Sequence, residues 1–231
     1  MGGSVPKPLV NLAGKPIIAH LVDAVREAGV DEIALVVGSN ESLLRELFGN
    51  SVKYVSQPEP LGTAHAVQCA IPLIEQFDTV MILVGDSPLL RPATLQHLLN
   101  IQLASGSEAA ILTGNFKQHY PYARVIRDEN QHFLRCVEER DATPTEKRIQ
   151  EYMTSHFCFA VPGLLTNLPQ LKPHPVTGEI YLTDLINLYA KNGKTVETIV
   201  VPDSIELVGL NTPEDVAWAE MVFARASFNR I

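Results

Sequence analysis

The strongest constraint on the fold is the alternation of short apolar runs with amphipathic segments through residues 1–115. The run Thr79–Val84 is apolar after its first residue and ends at Gly85-Asp86, a pattern typical of a buried parallel strand. Further strands are predicted over 33–37, 52–55 and 109–112, and helices over 16–28, 41–48, 63–76 and 93–104. Strands separated by helices predict right-handed crossovers and a mostly parallel sheet.

Residues 116–231 follow a different pattern. Strands are predicted over 122–127, 132–138, 152–161 and 196–201, and helices over 143–150, 182–191 and 212–225. No linker separates the two halves, so we expect one domain over residues 1–231. The expected fold class is α/β: a Rossmann-like, mostly parallel sheet with helices on both faces, plus a smaller α+β lobe.

The composition argues against several classes of protein. Hydrophobic residues make up 46% of the chain and charged residues 19%, enough to bury a substantial core. The net charge of −8 argues against nucleic-acid and anionic-membrane partners, which need a basic surface. Cys69, Cys136 and Cys158 lack the spacing of a zinc site or a disulfide framework. With no signal peptide and no membrane-spanning run, we expect a cytoplasmic protein.

Ligands of open parallel sheets bind beyond the carboxyl ends of the strands, which selects the residues that follow each strand. Asp86 is one: it could hold Mg²⁺ or simply cap the turn before Pro88. Gly62-Thr63 opens a helix and could bind a base carbonyl or a phosphate, or merely cap that helix. Lys7, between two prolines, could contact a phosphate or be a solvated lysine.

The sequence shows no evidence of covalent catalysis. Glu138 begins a charge run of the kind that usually forms a solvated face. The seven histidines show no metal-ligand pairing, and His65, in a helix pattern, is interpreted as an ordinary packed or surface residue. No GxSxG nucleophile elbow occurs, and no GxGxxG follows a strand, so a Rossmann dehydrogenase is not expected.

A series of segments, in order, resembles the N-acetylglucosamine-1-phosphate uridyltransferase domain of the sugar-1-phosphate nucleotidyltransferase superfamily. They are PKPLVNLAGKPIIAHLVDAV (6–25), QPEPLGTAHAV (57–67), ILVGDSPLL (82–90), YARVIRDENQHFLRCVEERDAT (122–143), GEIYLTD (178–184) and VGLNTPED (208–215). The resemblance covers nearly the whole chain. It implies a nucleotide-binding half over 1–115 and a sugar-binding half over 116–231.

The resemblance also implies a role for each matching residue. Lys7 matches the lysine that contacts phosphate, and Asp86 with Asn211 matches the pair that holds the catalytic Mg²⁺. The remaining positions match substrate-binding residues: Gln57, Gly62 and Thr63 for uracil, Glu138 for the sugar hydroxyls, and Tyr181 and Thr183 for the sugar-phosphate side.

The implied reaction is attack of a sugar-1-phosphate oxygen on the α-phosphorus of UTP, with release of pyrophosphate. Such a transfer depends on positioning and charge neutralisation rather than on a protein nucleophile. Alternatives are a thymidylyl- or cytidylyltransferase of the same superfamily, or a non-catalytic nucleotide-sugar-binding relative. The sequence does not fix the oligomeric state.

The sequence departs from the family pattern at the sugar site. The family's NTG reads Met153-Thr154-Ser155, so the amide that contacts the sugar is missing, although Thr154 remains a candidate sugar-binding residue. The glycine of the family's YGR is Ala123, whose methyl group could crowd an N-acetyl group. The sugar is therefore N-acetylglucosamine-1-phosphate or a related hexose-1-phosphate.

Two departures concern the ends of the family pattern. The family's first strand and its LAAGxGTRM loop, which cradles the triphosphate, would precede Lys7, and Met1 stands where the loop's methionine would be. We expect a preceding segment of roughly 10–20 residues, since a strand takes about 5–6 residues and its loop several more. Without that segment, nucleotide binding should be very weak. The acetyltransferase β-helix domain is not expected either.

Overall fold

A computed structural model describes residues 6–228 of the chain, with side chains through residue 225. The described residues fall into two compact units. The first contains residues 6–31, 84–96 and 205–228, and the second contains residues 32–83 and 97–204. The organisation predicted from the sequence, a single domain with two halves, stays a prediction.

The described residues form both strands and helices. The strands are β1 (Asn11–Leu12), β2 (Lys15–Pro16), β3 (Ala34–Val37), β4 (Lys53–Ser56), β5 (Thr79–Ile82), β6 (Ala109–Asn115), β7 (Ala123–Arg127), β8 (Phe133–Val137), β9 (Glu151–Ala160) and β10 (Val196–Val200). The helices are α1 (Ile17–Glu27), α2 (Glu41–Phe48), α3 (Thr63–Ile74), α4 (Pro92–Ser105), α5 (Val161–Asn167), α6 (Thr183–Lys191) and α7 (Pro213–Phe228). The predicted α/β class is confirmed.

The largest sheet lies in the second unit and is organised around β9. Its strand order is β10-β6-β9-β7-β8, and β5 also pairs with β9. Among the described strands of this sheet only β10 and β6 form a parallel pair: β9 is antiparallel to its neighbours β5, β6 and β7, and β7 is antiparallel to β8. A separate parallel pair joins β3 to β4. The sheet is therefore mixed, whereas the sequence predicted a mostly parallel one.

The core of the second unit lies between this sheet and its helices. α6 packs against β8 and β10, α5 against β9, and α3 against β3 and β4. Fully or almost fully buried apolar side chains fill the space, among them Ile111, Phe157, Phe159, Leu164 and Leu185. Because these side chains come from strands and helices far apart in sequence, their packing fixes the backbone that carries the polar residues described below.

Local structure differs from the sequence prediction in several places, among them the short β1–β2 pair, which was not predicted. Residues 143–150 form only a 3₁₀ turn at Glu146–Arg148, which the Glu146 carboxylate closes by accepting hydrogen bonds from the N–H and hydroxyl of Thr143. α5 was missed because Pro162 and Gly163 are weak helix formers, yet Pro162 stands at the first turn, where its missing N–H costs nothing. Pro72 lies inside α3.

Candidate functional site

The first unit brings together three predicted site residues from distant parts of the chain. The Lys7 ammonium contacts the carboxylate of Asp86 and donates a hydrogen bond of 2.6 Å to Oδ1 of Asn211. The Lys7 and Asp86 side chains are 30% and 24% exposed, so the ion pair remains open to water and to a ligand. The side chains predicted to contact phosphate and to hold a metal therefore lie within one cluster.

Backbone contacts hold the loops that carry Asp86 and Asn211 next to each other. The N–H of Leu210 donates to the carbonyl of Asp86 at 2.9 Å, which ties the two loops together. A Cβ on Gly209 would lie 3.0 Å from Oδ1 of Asp86, so glycine leaves room for this carboxylate. Asp215 accepts hydrogen bonds from the N–H groups of Asn211 and Thr212 at 2.7 and 2.8 Å and so fixes the start of α7.

A buried carboxylate holds the loop that follows Asp86. Glu206, 4% exposed, accepts hydrogen bonds from the Thr94 hydroxyl at 2.6 Å and the Arg91 N–H at 3.2 Å, and it pairs with the Arg91 guanidinium. Arg91 and Thr94 belong to the segment that carries Asp86, and Glu206 belongs to the segment that carries Asn211. The buried Glu206 carboxylate therefore helps to fix the positions of the two segments that carry the partly exposed cluster.

The residues of this cluster fit a magnesium ion. The Asp86 and Asn211 oxygens are hard donors, and both converge on one cation, the Lys7 ammonium. Mg²⁺ in enzymes that bind phosphates commonly takes one or two protein oxygens and completes its shell with phosphates and water. The described residues contain no cluster of three or more Asp, Glu, His or Cys residues that could hold a metal ion.

The predicted uracil-binding residues lie together in the second unit, where β4 leads into α3. Gln57 follows β4, and its backbone N–H donates to the carbonyl of Val37 at 2.7 Å. Its side-chain Nε2 donates to the carbonyl of Gly62 at 3.2 Å and lies 3.0 Å from Nδ1 of His65. The first turn of a helix leaves N–H groups without intrahelical partners, which suits a carbonyl of a bound base.

The Gly62-Thr63 turn is hydrogen-bonded to the segment that carries Tyr181 and Thr183. The Ala64 N–H donates to the Ile180 carbonyl at 2.9 Å, and the Ile180 N–H donates to the Leu61 carbonyl at 2.8 Å. The Thr63 hydroxyl accepts a hydrogen bond from the N–H of Leu182 at 2.9 Å. The predicted base-binding and sugar-binding segments are therefore held against each other by backbone hydrogen bonds.

Glu138, Tyr181 and Thr183 line one cavity of the second unit, together with Asp184 and other residues. The Thr183 hydroxyl donates to the Glu138 carboxylate at 2.7 Å. Burial raises the pKa of Glu138 above its usual range and likewise raises the pKa of Asp184. A half-buried carboxylate of this kind is a strong acceptor for sugar hydroxyls.

An ion pair anchors the chain next to Glu138. The side chain of Arg124 is fully buried, its guanidinium lies 4.2 Å from the centre of the Tyr152 ring, and it pairs with Glu139. It also donates to the carbonyl of Tyr122. Because a buried guanidinium tolerates little displacement, this pair fixes the backbone after β8, from which Glu138 projects.

Ala123 and Thr154, the remaining candidate sugar-site residues, are buried at 3% and 5% exposure. Ala123 stands opposite Met153 in the β7–β9 pairing, so the two positions where the sequence departs from the family pattern are neighbours. The Thr154 hydroxyl has no hydrogen-bond partner within the described part of the chain. Ser155 takes a left-handed φ of 61°, a conformation that costs a residue with a side chain some energy.

Comparison with known proteins decides the family. Residues 1–174 match the MobA-like NTP transferase domain. The chain belongs to this NTP transferase family. Membership confirms the coarser part of the predicted function, nucleotidyl transfer, and leaves the nucleotide and the sugar open.

Curated relatives and one solved structure extend the comparison. The NTP transferase chain is 36% identical over 222 residues to the bifunctional protein GlmU of Desulfitobacterium hafniense, covering 96% of the chain and 49% of that protein. It is 38% identical over 211 residues to GlmU of Carboxydothermus hydrogenoformans, covering 91% of the chain and 47% of that protein. The chain thus spans about half the length of these relatives.

A crystal structure of UDP-glucose pyrophosphorylase complexed with UDP-glucose has the same fold, with a TM-score of 0.78 at 16% identity. That match covers 96% of the NTP transferase chain and 91% of the other.

The predicted site residues thus form two groups, each within one unit. The first unit holds Lys7, Asp86 and Asn211. The second holds Gln57, Gly62, Thr63, Ala123, Glu138, Thr154, Tyr181 and Thr183. Their functional roles stay predictions. His65 is a partner of Gln57 that the sequence did not single out; its only signal was its place in the first turn of the helix after Gly62.

Among the described residues, no helix is both long and apolar enough to cross a bilayer.

Proposed function

We propose that this NTP transferase transfers a uridylyl group from UTP to a sugar-1-phosphate, giving a UDP-sugar and pyrophosphate. The convergence of Lys7 on Asp86 and Asn211 carries the proposal, because a lysine beside two hard oxygen donors is the chemistry that a triphosphate requires. The GlmU relatives and the family model support the same assignment.

In this proposal the sugar-phosphate oxygen forms a bond to the α-phosphorus while the bond to the bridging β-phosphate oxygen breaks. The negative charge leaves on pyrophosphate. Lys7 neutralises part of that charge, and its ammonium then exchanges Asp86 for phosphate oxygens. Mg²⁺, held by Asp86 and Asn211, would supply further charge neutralisation to the phosphates. No protein nucleophile is needed.

The second unit selects the substrates in this proposal. Gln57 with the N–H groups of Gly62 and Thr63 binds the base, and Glu138 accepts hydrogen bonds from the sugar hydroxyls. Thr183 holds the Glu138 carboxylate in place. Met153 beside Ala123 offers an apolar surface rather than an amide, so we propose a hexose-1-phosphate as a substrate at least as good as N-acetylglucosamine-1-phosphate.

The test is pyrophosphate release from UTP and a panel of sugar-1-phosphates with magnesium, in wild type and in Asp86→Asn. The substitution keeps the shape of the side chain and removes its charge, and we expect a loss of activity of at least ~100-fold. Glu214→Gln is the matched control, since Glu214 is an exposed acid of the same unit. Full turnover in Asp86→Asn would contradict the proposal, as would no release with any sugar from folded wild-type protein made both with and without any residues that its gene encodes before residue 1.

A further inference from the structure

The nitrogen of the Gln57 side-chain amide contacts two acceptors, which together hold its orientation. The amide atom beside the Gly62 carbonyl, at 3.2 Å, must be the nitrogen, because a carbonyl can only accept a hydrogen bond. The same nitrogen lies 3.0 Å from Nδ1 of His65. An amide nitrogen carries two hydrogens and cannot accept, so His65 Nδ1 must be the acceptor of this second contact.

This constraint selects the tautomer of His65. With Nδ1 accepting, a neutral ring carries its hydrogen on Nε2, which lies 3.8 Å from the sulfur of Cys69, one helical turn further along α3. Cys69, His65 and Gln57 therefore form a chain of contacts with one consistent direction. Its end is the Gln57 Oε1, the only polar atom of that amide not used by these contacts.

We infer that His65 is a positioning residue for the base preference of the nucleotide site: together with the Gly62 carbonyl it holds the Gln57 amide nitrogen, so that the amide presents an acceptor rather than a donor. This inference rests on the proposed function. An acceptor at Oε1 matches the N3–H of uracil and opposes the unprotonated N3 of cytosine, which is itself an acceptor. Two acceptors facing each other leave both unsatisfied, which penalises the wrong base.

The surroundings hold this arrangement firmly. The contacts of Ala64 and Thr63 fix the start of α3 to residues 180–182, so the His65 backbone cannot move away from Gln57 without breaking them. The Gln57 backbone is fixed in turn by its bond to Val37. His65 is half-buried, so its contact with Gln57 is shielded in part from competing water.

Two variants separate positioning from packing. His65→Leu keeps an apolar side chain of moderate size and removes the acceptor. His65→Asn places an amide oxygen close to the position of Nδ1, so it can still accept from Gln57. Both are compared with wild type by calorimetric binding of UTP, CTP and 5-methyl-UTP, with unfolding temperature as a check on folding. All three proteins are made with any residues that the gene encodes before residue 1. 5-Methyl-UTP has the same hydrogen-bonding edge as UTP and serves as the internal control.

We expect the preference for UTP over CTP to fall about tenfold in His65→Leu, the change produced by ~1.4 kcal/mol, which is close to the contribution of one hydrogen bond. His65→Asn should keep most of the wild-type preference, and the ratio of 5-methyl-UTP to UTP should stay constant throughout. An unchanged UTP preference in a folded His65→Leu variant, or equal weakening of all three nucleotides, overturns the inference and leaves the proposed function standing. A wild-type protein that binds CTP as well as UTP overturns the uridylyl assignment itself.

Discussion

Gly62 occupies a position that no other residue fits without moving the backbone. Its φ is +103°, and a Cβ built there would lie 2.5 Å from the carbonyl oxygen of Ile180 and 2.7 Å from its nitrogen. Such distances require the 180–182 segment to shift, which breaks the hydrogen bonds that join Ile180 to Leu61 and Ala64. We predict that Gly62→Ala both destabilises the protein and abolishes UTP binding.

The expected loss of stability is the sum of backbone strain and broken hydrogen bonds. A side chain in this part of backbone space costs about 1–3 kcal/mol, and two broken backbone hydrogen bonds cost about 1 kcal/mol each. Gly178→Ala is the matched control: its φ is +73°, but nothing lies within 4 Å of the new Cβ. That variant should lose only the conformational part, about 1–2 kcal/mol.

The assay is thermal and urea unfolding of both variants, followed by UTP titration. Gly62→Ala should unfold about 4–8 °C below Gly178→Ala, since 1 kcal/mol corresponds to ~2–4 °C for a chain of this size. Gly178→Ala should bind UTP like wild type. Equal stability of the two variants would show that the 180–182 segment does not pack against Gly62 closely enough to exclude a Cβ.

Three further predictions concern the second unit. Burial raises the pKa of Glu138, so the folded protein holds a proton on this carboxyl group more tightly than the unfolded chain does. As the pH falls, Glu138 is therefore protonated at a higher pH than an ordinary glutamate. The KM for sugar-1-phosphate should therefore rise towards acid pH in wild type. In Glu138→Gln it should be higher throughout and keep only the pH dependence of the substrate phosphate; the same pH profile in both proteins would rule out this role. Glu139→Gln leaves the fully buried Arg124 without its carboxylate and should cost about 3 kcal/mol in urea unfolding, while the exposed Glu129→Gln should cost almost nothing; similar values for both would contradict the ion-pair argument. Burial raises the pKa of Cys158 to about 12, so a thiol reagent should modify half-exposed Cys69 in the native protein and reach Cys158 only on unfolding, as mass spectrometry of the labelled peptides would show; early labelling of Cys158 would contradict its burial.

The sequence alone predicted most of the individual elements. The observed α2 (Glu41–Phe48) has the predicted bounds, and α1 (Ile17–Glu27) and α4 (Pro92–Ser105) differ from prediction by a residue at each end. These elements are defined by local signals: the spacing of apolar residues, and the glycine that stops α1. The family resemblance also singled out Lys7, Asp86 and Asn211, which the structure brings together.

Strand pairing required the tertiary structure. The apolar pattern of residues 152–161 predicts a strand but says nothing of its neighbours, and only packing shows that β9 runs antiparallel to β5, β6 and β7. Pairing joins residues far apart in sequence, so no local pattern encodes it. The same holds for α5, where burial of Val161 and Leu164 outweighs the weak helix propensity of Pro162 and Gly163.

For the candidate site too, some features follow from the sequence and others only from the tertiary structure. The sequence supplied the residue types, a carboxylate and an amide for a cation and a glutamine for a base, because chemistry restricts which side chains can serve. It left Gly62 as either a helix cap or a ligand contact, and it interpreted His65 as an ordinary packed or surface residue. The fold brings the Ile180 backbone against Gly62 and sets His65 Nδ1 beside the Gln57 amide, because these contacts depend on where separate segments meet and not on either segment alone.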